Sequence, residues 1–190
     1  MSEKKFDPQK LHVLNDPERL KDIPPDYICS KLNLHDPEVL VDIGAGTGFF
    51  DLHFLQYAKG ATIYACDTSE VMLEWMQENI SPQYPNILPT KMQEKEVPLE
   101  EGIADLVYML NLHHELDDPQ AVLREAYRIL KSKGTLFIVD WKKEDMSEGP
   151  PTHIRYLPEQ ISEQMQESDF KNINVFLELP KHYLIVAQKE

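Results

Sequence analysis

Short apolar runs alternate along this chain with stretches whose apolar positions recur every three or four residues. "EVLVDI", "ATIYACD", "NILPTKM", "GIADLVYML" and "GTLFIVDW" read as strands, the first of them buried on both faces. Between them, "FFDLHFLQYAKG" reads as a helix stopped at Gly60, and "SEVMLEWMQENI" as a helix capped by Thr68 or Ser69. "DPQAVLREAYRILKSKG" is a long amphipathic helix with Pro119 in its first turn, and "PEQISEQMQESDF" forms one more. The last part changes character: "KNINVFLEL" and "KHYLIVAQKE" read as two strands joined tightly at Pro180–Lys181, a terminal hairpin that adds an antiparallel strand at one edge. Strands alternating with helices predict an α/β domain, with a mostly parallel sheet covered on both faces. Residues 1–37 are polar and rich in Pro, with "PPDYICSKLNL" the clearest helical stretch. They are expected to form a helical appendage or lid on a domain at 38–190, a single domain overall.

A chain of 190 residues suits one domain, and 42% apolar with 27% charged residues leaves that picture unchanged. The formal net charge of −14 does change it. Such a chain repels a phosphate backbone, and its densest basic spots, Lys131/Lys133 and Lys142/Lys143, are sparse, so nucleic acid is not an expected partner. Cys29 and Cys66 make neither a disulfide framework nor a CxxC site. "MSEKKFDPQK" lacks an apolar signal core, and no run approaches the ~18 apolar residues of a membrane span, so a cytoplasmic protein is expected. None of these features speaks to oligomeric state.

The candidate chemistry begins at "VDIGAGTGFF". A glycine-rich turn between a first strand and a first helix presents free backbone N–H groups to a ligand. Gly44, Gly46 and Gly48 are spaced G-x-G-x-G, and Phe49 stands where the dinucleotide fingerprint needs a small residue. Asp42 is ill-suited beside a pyrophosphate and suits a positive group such as an amino-acid ammonium. Asp67, ending the second strand, is placed to accept hydrogen bonds from both ribose hydroxyls, although an Asp there also caps the next helix. Adenosine joined to a zwitterionic amino acid, without diphosphate, describes S-adenosylmethionine.

With these motifs the sequence resembles class I S-adenosylmethionine-dependent methyltransferases of the small-molecule group that includes the ubiquinone/menaquinone-biosynthesis type. "VDIGAGTG", "YACDTSEVMLEWM", "ADLVYMLNLHHELDD" and "LREAYRILKSKGTLFIVDW" match the family's motifs in order, over roughly residues 35 to 188, and "FDPQKLHVLNDPERLKDIPPDYI" is similar to a leader of bacterial and archaeal members. The resemblance implies a Rossmann-like doubly wound sheet of seven strands, order 3-2-1-4-5-7-6, with strand 7 antiparallel. It implies S-adenosyl-L-methionine as cosubstrate, with Gly44, Ala45 and Gly46 against its methionyl part and Asp42 near the ammonium. Asp67 would hold the ribose, Thr68 and Met72 border the adenine, and Gln93 and Glu94 lie at the adenine edge, where Gln93 replaces the usual Asp. Asn111 would approach the methionyl group through its backbone.

Ligands bind outside the C-terminal ends of parallel strands, so the transferred methyl should face "NLHHELDD". If the nucleophile arrives protonated it needs a base, and His113 or His114 is the natural candidate. A packing role for one of them stays open, as does a divalent-metal reading of the His and carboxylate cluster, although neighbouring side chains diverge and no metal is expected. Arsenite-type chemistry is disfavoured by the two lone cysteines. Trp141 is a candidate wall of the acceptor pocket. His153, Arg155 and Tyr156, in the loop after the fifth strand, are candidates to meet an acceptor carboxylate or phenolate. The expected partner is a small or medium-sized organic acceptor. The alternatives are an S-adenosylmethionine-binding protein without transfer activity, an NAD-dependent oxidoreductase, disfavoured by Phe49 and Asp42, and a nucleic-acid methylase, disfavoured by charge and by "NLHH" in place of an "NPPY"-type motif.

Overall fold

The structure, a computed structural model, describes residues 10–190. The first nine residues, including the start of the leader motif and of the 1–37 appendage, lie outside them. Seven strands form one sheet in the order β3-β2-β1-β4-β5-β7-β6. They are β1 (Val39–Ile43), β2 (Thr62–Asp67), β3 (Ile87–Lys91), β4 (Ala104–Leu110), β5 (Leu130–Trp141), β6 (Lys171–Phe176) and β7 (His182–Gln188). Pairing is parallel from β3 through to β5, whereas β7 runs antiparallel to both β5 and β6.

Alternate residues along each strand divide the core in two. Leu40, Ile63, Leu106, Tyr108 and Phe137 meet α3 (Pro25–Lys31), α4 (Phe49–Phe54) and α5 (Glu70–Asn79) on one face. On the other, Val41, Ile43, Val107, Ile138 and Ile185 meet α6 (Pro119–Ile129) and α7 (Pro158–Glu167). Ahead of α3, the appendage contributes the single turns α1 (Leu11–Leu14) and α2 (Arg19–Asp22). The strand order reverses between β1 and β4, and the crevice at their C-terminal ends is where such sheets take ligands.

Three element boundaries differ from the periodicity. The helix after β4 stops at Ile129 instead of running through "LKSKG", because Leu130 pairs with Ala104 and opens β5. Lys133 then takes φ 67, and a Cβ on Gly134 would meet the Lys131 carbonyl at 2.8 Å, so the chain turns tightly where a helix was expected. α4 ends at Phe54, a turn and a half before Gly60. Neither Thr68 nor Ser69 caps α5 with its side chain. Instead Asp67 Oδ1 accepts from the Ser69 N–H at 2.8 Å. Among the described residues no helix is long and apolar enough to cross a membrane.

Candidate active site

The turn after β1 is built so that backbone faces the crevice. Gly44, Gly46 and Gly48 all take positive φ (79, 58 and 68), and the Gly44 and Ala45 N–H groups bond the Cys66 carbonyl at 2.8 and 3.0 Å. A Cβ on Gly44 would sit 2.7 Å from Leu112, and one on Gly46 would sit 3.1 Å from Leu14 of α1. The turn is therefore pressed between the loop after β4 and the appendage, and the positive φ at both glycines strains any side chain placed there.

Three acids surround this turn. Asp67 Oδ2 accepts from the Gly46 N–H at 2.8 Å while Oδ1 accepts from Ser69, the Thr68 N–H also acts on the carboxylate, and its remaining acceptor capacity stands at the cavity that it lines. Burial holds its pKa above the ordinary value. Asp42 is 3% exposed and hydrogen-bonds to Asp51 of α4, which in turn accepts from the Tyr108 hydroxyl. Burial, and then the Asp51 charge, push Asp42 well above the carboxylate range, and burial raises Asp51 to about 6. Asp42 Oδ1 and Asp51 Oδ2 have no other partner in the protein. Arg19 of α2 reaches over the Phe50 ring, 4.7 Å from its centroid, and its charge acts on Asp42. Burial lowers the Arg19 pKa to about 10, which leaves it a cation at neutral pH.

A cavity of about 860 Å³ opens on these groups, and Asp42, Gly44, Ala45, Gly46, Asp67, Thr68, Met72, Glu94 and Asn111 all line it. Asn111 takes φ 55, donates its N–H to the Val139 carbonyl at 2.8 Å, and buries an Oδ1 that has no partner. Gln93 departs from its expected place. It is exposed, tied to Glu96 by a short bridge, and does not line the cavity that its neighbour Glu94 lines.

The two adjacent histidines diverge. They share the 3-10 turn His113–Glu115, but only His114 lines the cavity. His113 is fully buried away from it: Nε2 meets Gln164 Oε1 at 2.8 Å, and the ring stands edge-on to Tyr156. Its pKa is lowered by burial, and its place is the helix-packing interface, not the crevice where a catalytic His113 was expected. His114 is held at Nδ1 by Asp140 Oδ1 (2.7 Å), while Asp140 Oδ2 accepts the His114 backbone N–H at 3.1 Å. Burial opposes its charge, but Asp140 outweighs burial and the net pKa lies above the ordinary value. Trp141 does line the cavity. His153, Arg155 and Tyr156 do not. The Arg155 guanidinium donates instead to the carbonyls of Lys142, Glu144, Glu148 and Pro150, and so ties down the loop that it was expected to serve from. Among the described residues no group of three His, Cys, Asp or Glu is placed to hold a metal ion.

Sequence reasoning missed Arg19, Asp51, Asp140 and His182. Asp51 carried a local signal, a carboxylate amid "FFDLHF" on the buried face of its helix. Arg19 and His182 reach the crevice from separate elements, Asp140 acts behind it through His114, and these three carried none.

Residues 41–138, just over half of the chain, match the family model of the methyltransferase domain, and the chain belongs to that family. With its sheet order, it has the class I fold of S-adenosylmethionine-dependent methyltransferases. It is 23% identical over 158 residues to a tRNA(Phe) (4-demethylwyosine(37)-C(7)) aminocarboxypropyltransferase of Methanocaldococcus jannaschii, a match covering 82% of this chain and 61% of that protein. It is 29% identical to a ubiquinone biosynthesis O-methyltransferase of Pseudomonas fluorescens, over 62% of this chain and 51% of that one. The chain thus spans only about half to three-fifths of the length of these relatives. A crystal structure of a SAM-dependent methyltransferase from Aquifex aeolicus superposes with a TM-score of 0.91 at 27% identity, covering 98% of this chain and 100% of that one.

Proposed function

We propose that the chain transfers a methyl group from S-adenosylmethionine to a small or medium-sized organic acceptor by in-line displacement. The observation that carries the reading is the set of groups gathered on one cavity wall around the glycine turn: the Asp67 carboxylate, the buried Asp42 carboxyl and the Arg19 cation alongside. Asp67 suits two ribose hydroxyls, Asp42 an ammonium, and Arg19 a carboxylate, so one nucleoside carrying an α-amino acid satisfies all three. Thr68, Met72 and Glu94 then border the base, and Gly44, Ala45 and Asn111 the methionyl chain, with α1 and α2 as the lid over both.

When bound, the sulfonium supplies an electrophilic methyl and a neutral leaving group. The chain's part is to align the nucleophile with that carbon and keep water out, which supplies much of the rate in such a step. His114, fixed by Asp140, is the group beside the reacting centre that would orient the acceptor. The relative from Methanocaldococcus is named for a tRNA acceptor; the acidic cavity and net charge of −14 favour an acceptor without phosphates here. The test is calorimetry of S-adenosylmethionine, S-adenosylhomocysteine and NADH against the native chain and Asp67→Asn. Binding of the first two, weakened about tenfold or more by the substitution, is expected, since each hydrogen bond to a charged group contributes roughly 1.5–3 kcal/mol. Binding of NADH alone would sink the reading. Binding followed by failure of a labelled-methyl acceptor screen would leave only the binding role.

A further inference from the structure

His182 opens β7, where the sequence passes from "KH" into "YLIVA". It stands on the cavity wall with its ring against the Trp141 indole (centroids 4.2 Å apart, 46° between planes), and it is 1% exposed. Neither Nδ1 nor Nε2 has a hydrogen-bond partner. A neutral imidazole carries one donor and one acceptor, and buried polar atoms are nearly always paired. Two orphans on one ring at a cavity wall mark a group whose partner arrives through the cavity.

The surroundings define that partner. Asp140 on β5, Asp22 and Arg19 on α2, and Lys181 beside it act on the ring electrostatically. Burial outweighs the carboxylates and lowers the pKa to about 4, so at physiological pH the ring is neutral, with one N–H to donate and one lone pair to accept a hydrogen bond. Lys181 is already engaged by Asp22 at 2.8 Å and Glu148 at 2.7 Å. Among the described residues the cavity is lined by ten carboxylates against four Lys or Arg, a field that disfavours an anionic guest.

We propose that His182 binds the methyl acceptor by hydrogen bond, and that this acceptor is an uncharged hydroxyl compound, phenolic or enolic. The inference rests on the donor reading above. His182 accepts a hydrogen bond from the acceptor O–H while His114, on the Asp140 side, steadies the same end of the cavity. In the step itself the oxygen–carbon bond forms as the methyl–sulfur bond breaks. The bonding pair stays with sulfur, which becomes a neutral thioether. The hydroxyl proton is given up to water as the ether forms, and His182 stays neutral.

The test uses the full chain with ¹⁵N-labelled histidine, saturated with S-adenosylhomocysteine, and phenol, benzoate and toluene as probes. The His182 ring signals are identified by their loss in His182→Asn. Phenol is expected to shift them, and benzoate and toluene to leave them in place. His182→Phe should weaken phenol binding about tenfold with homocysteine-nucleoside binding retained, whereas His182→Asn, which keeps a donor and an acceptor, should recover part of it. If His182→Phe does not fold, the ring signals of the native chain decide. A ring that ignores phenol, or responds to benzoate instead, overturns the role of His182 and leaves the donor reading standing. Failure of S-adenosylhomocysteine to bind overturns both.

Discussion

Asp42 and Asp51 share a hydrogen bond beneath the glycine turn, and two carboxylates can do so only through a common proton. Their neighbours Asp67 and Arg19 pull in opposite directions on Asp42, and Tyr108 donates to Asp51. A carboxyl raised to about 6 in the folded chain holds a proton that an unfolded one, with pKa ~3.9, has lost. Its contribution to stability is therefore full below the unfolded value and lost as pH rises through the folded one. An ammonium guest reverses the preference, since it favours ionised Asp42 and expels the proton. Thermal stabilisation by S-adenosylmethionine should accordingly be larger at about pH 7.5 than at about pH 5.5. Calorimetry in two buffers of different ionisation enthalpy should show proton release, and Asp51→Asn should flatten both dependences. Equal stabilisation at the two pH values would refute a shared proton.

At the scale of elements, the loop from Lys142 to Arg155 is held down from below. Arg155 bonds four of its carbonyls, and a Cβ on Gly149 (φ 88) would meet the Trp141 ring at 2.8 Å, so the strap lies directly on the indole. Arg155→Met keeps the stem and strands those carbonyls, and should cost on the order of 3 kcal/mol in denaturant unfolding. Arg155→Lys should not restore it, because one ammonium cannot serve four diverging acceptors. Donor binding is expected to survive both, since the strap packs on Trp141. The strands were legible because unbroken apolar runs need no partner to be recognised, and Asp42, the glycines and Asp67 because the turn that gathers them is local. "LKSKG" was not. Its residues are good helix formers, and only pairing of Leu130 with Ala104 turns them into the start of β5. His182, Asp140 and Arg19 converge only once β5, β7 and the appendage are assembled, and no spacing along the chain records that meeting.

Over the whole molecule the net charge is −14, and among the described residues ten carboxylates against four Lys or Arg line the cavity. The proposed donor carries a net positive charge and its demethylated product none. Added salt should therefore weaken S-adenosylmethionine binding more than S-adenosylhomocysteine binding, as titrations at about 0.05 M and 0.5 M salt would show. Identical salt slopes would mean that the cavity field does not reach the sulfur. If the field does reach it, the acidic wall also gives turnover a direction. It draws in the charged donor, and its pull on that molecule ends with the loss of the methyl cation, so discharge of the spent nucleoside is built into the reaction's own charge balance.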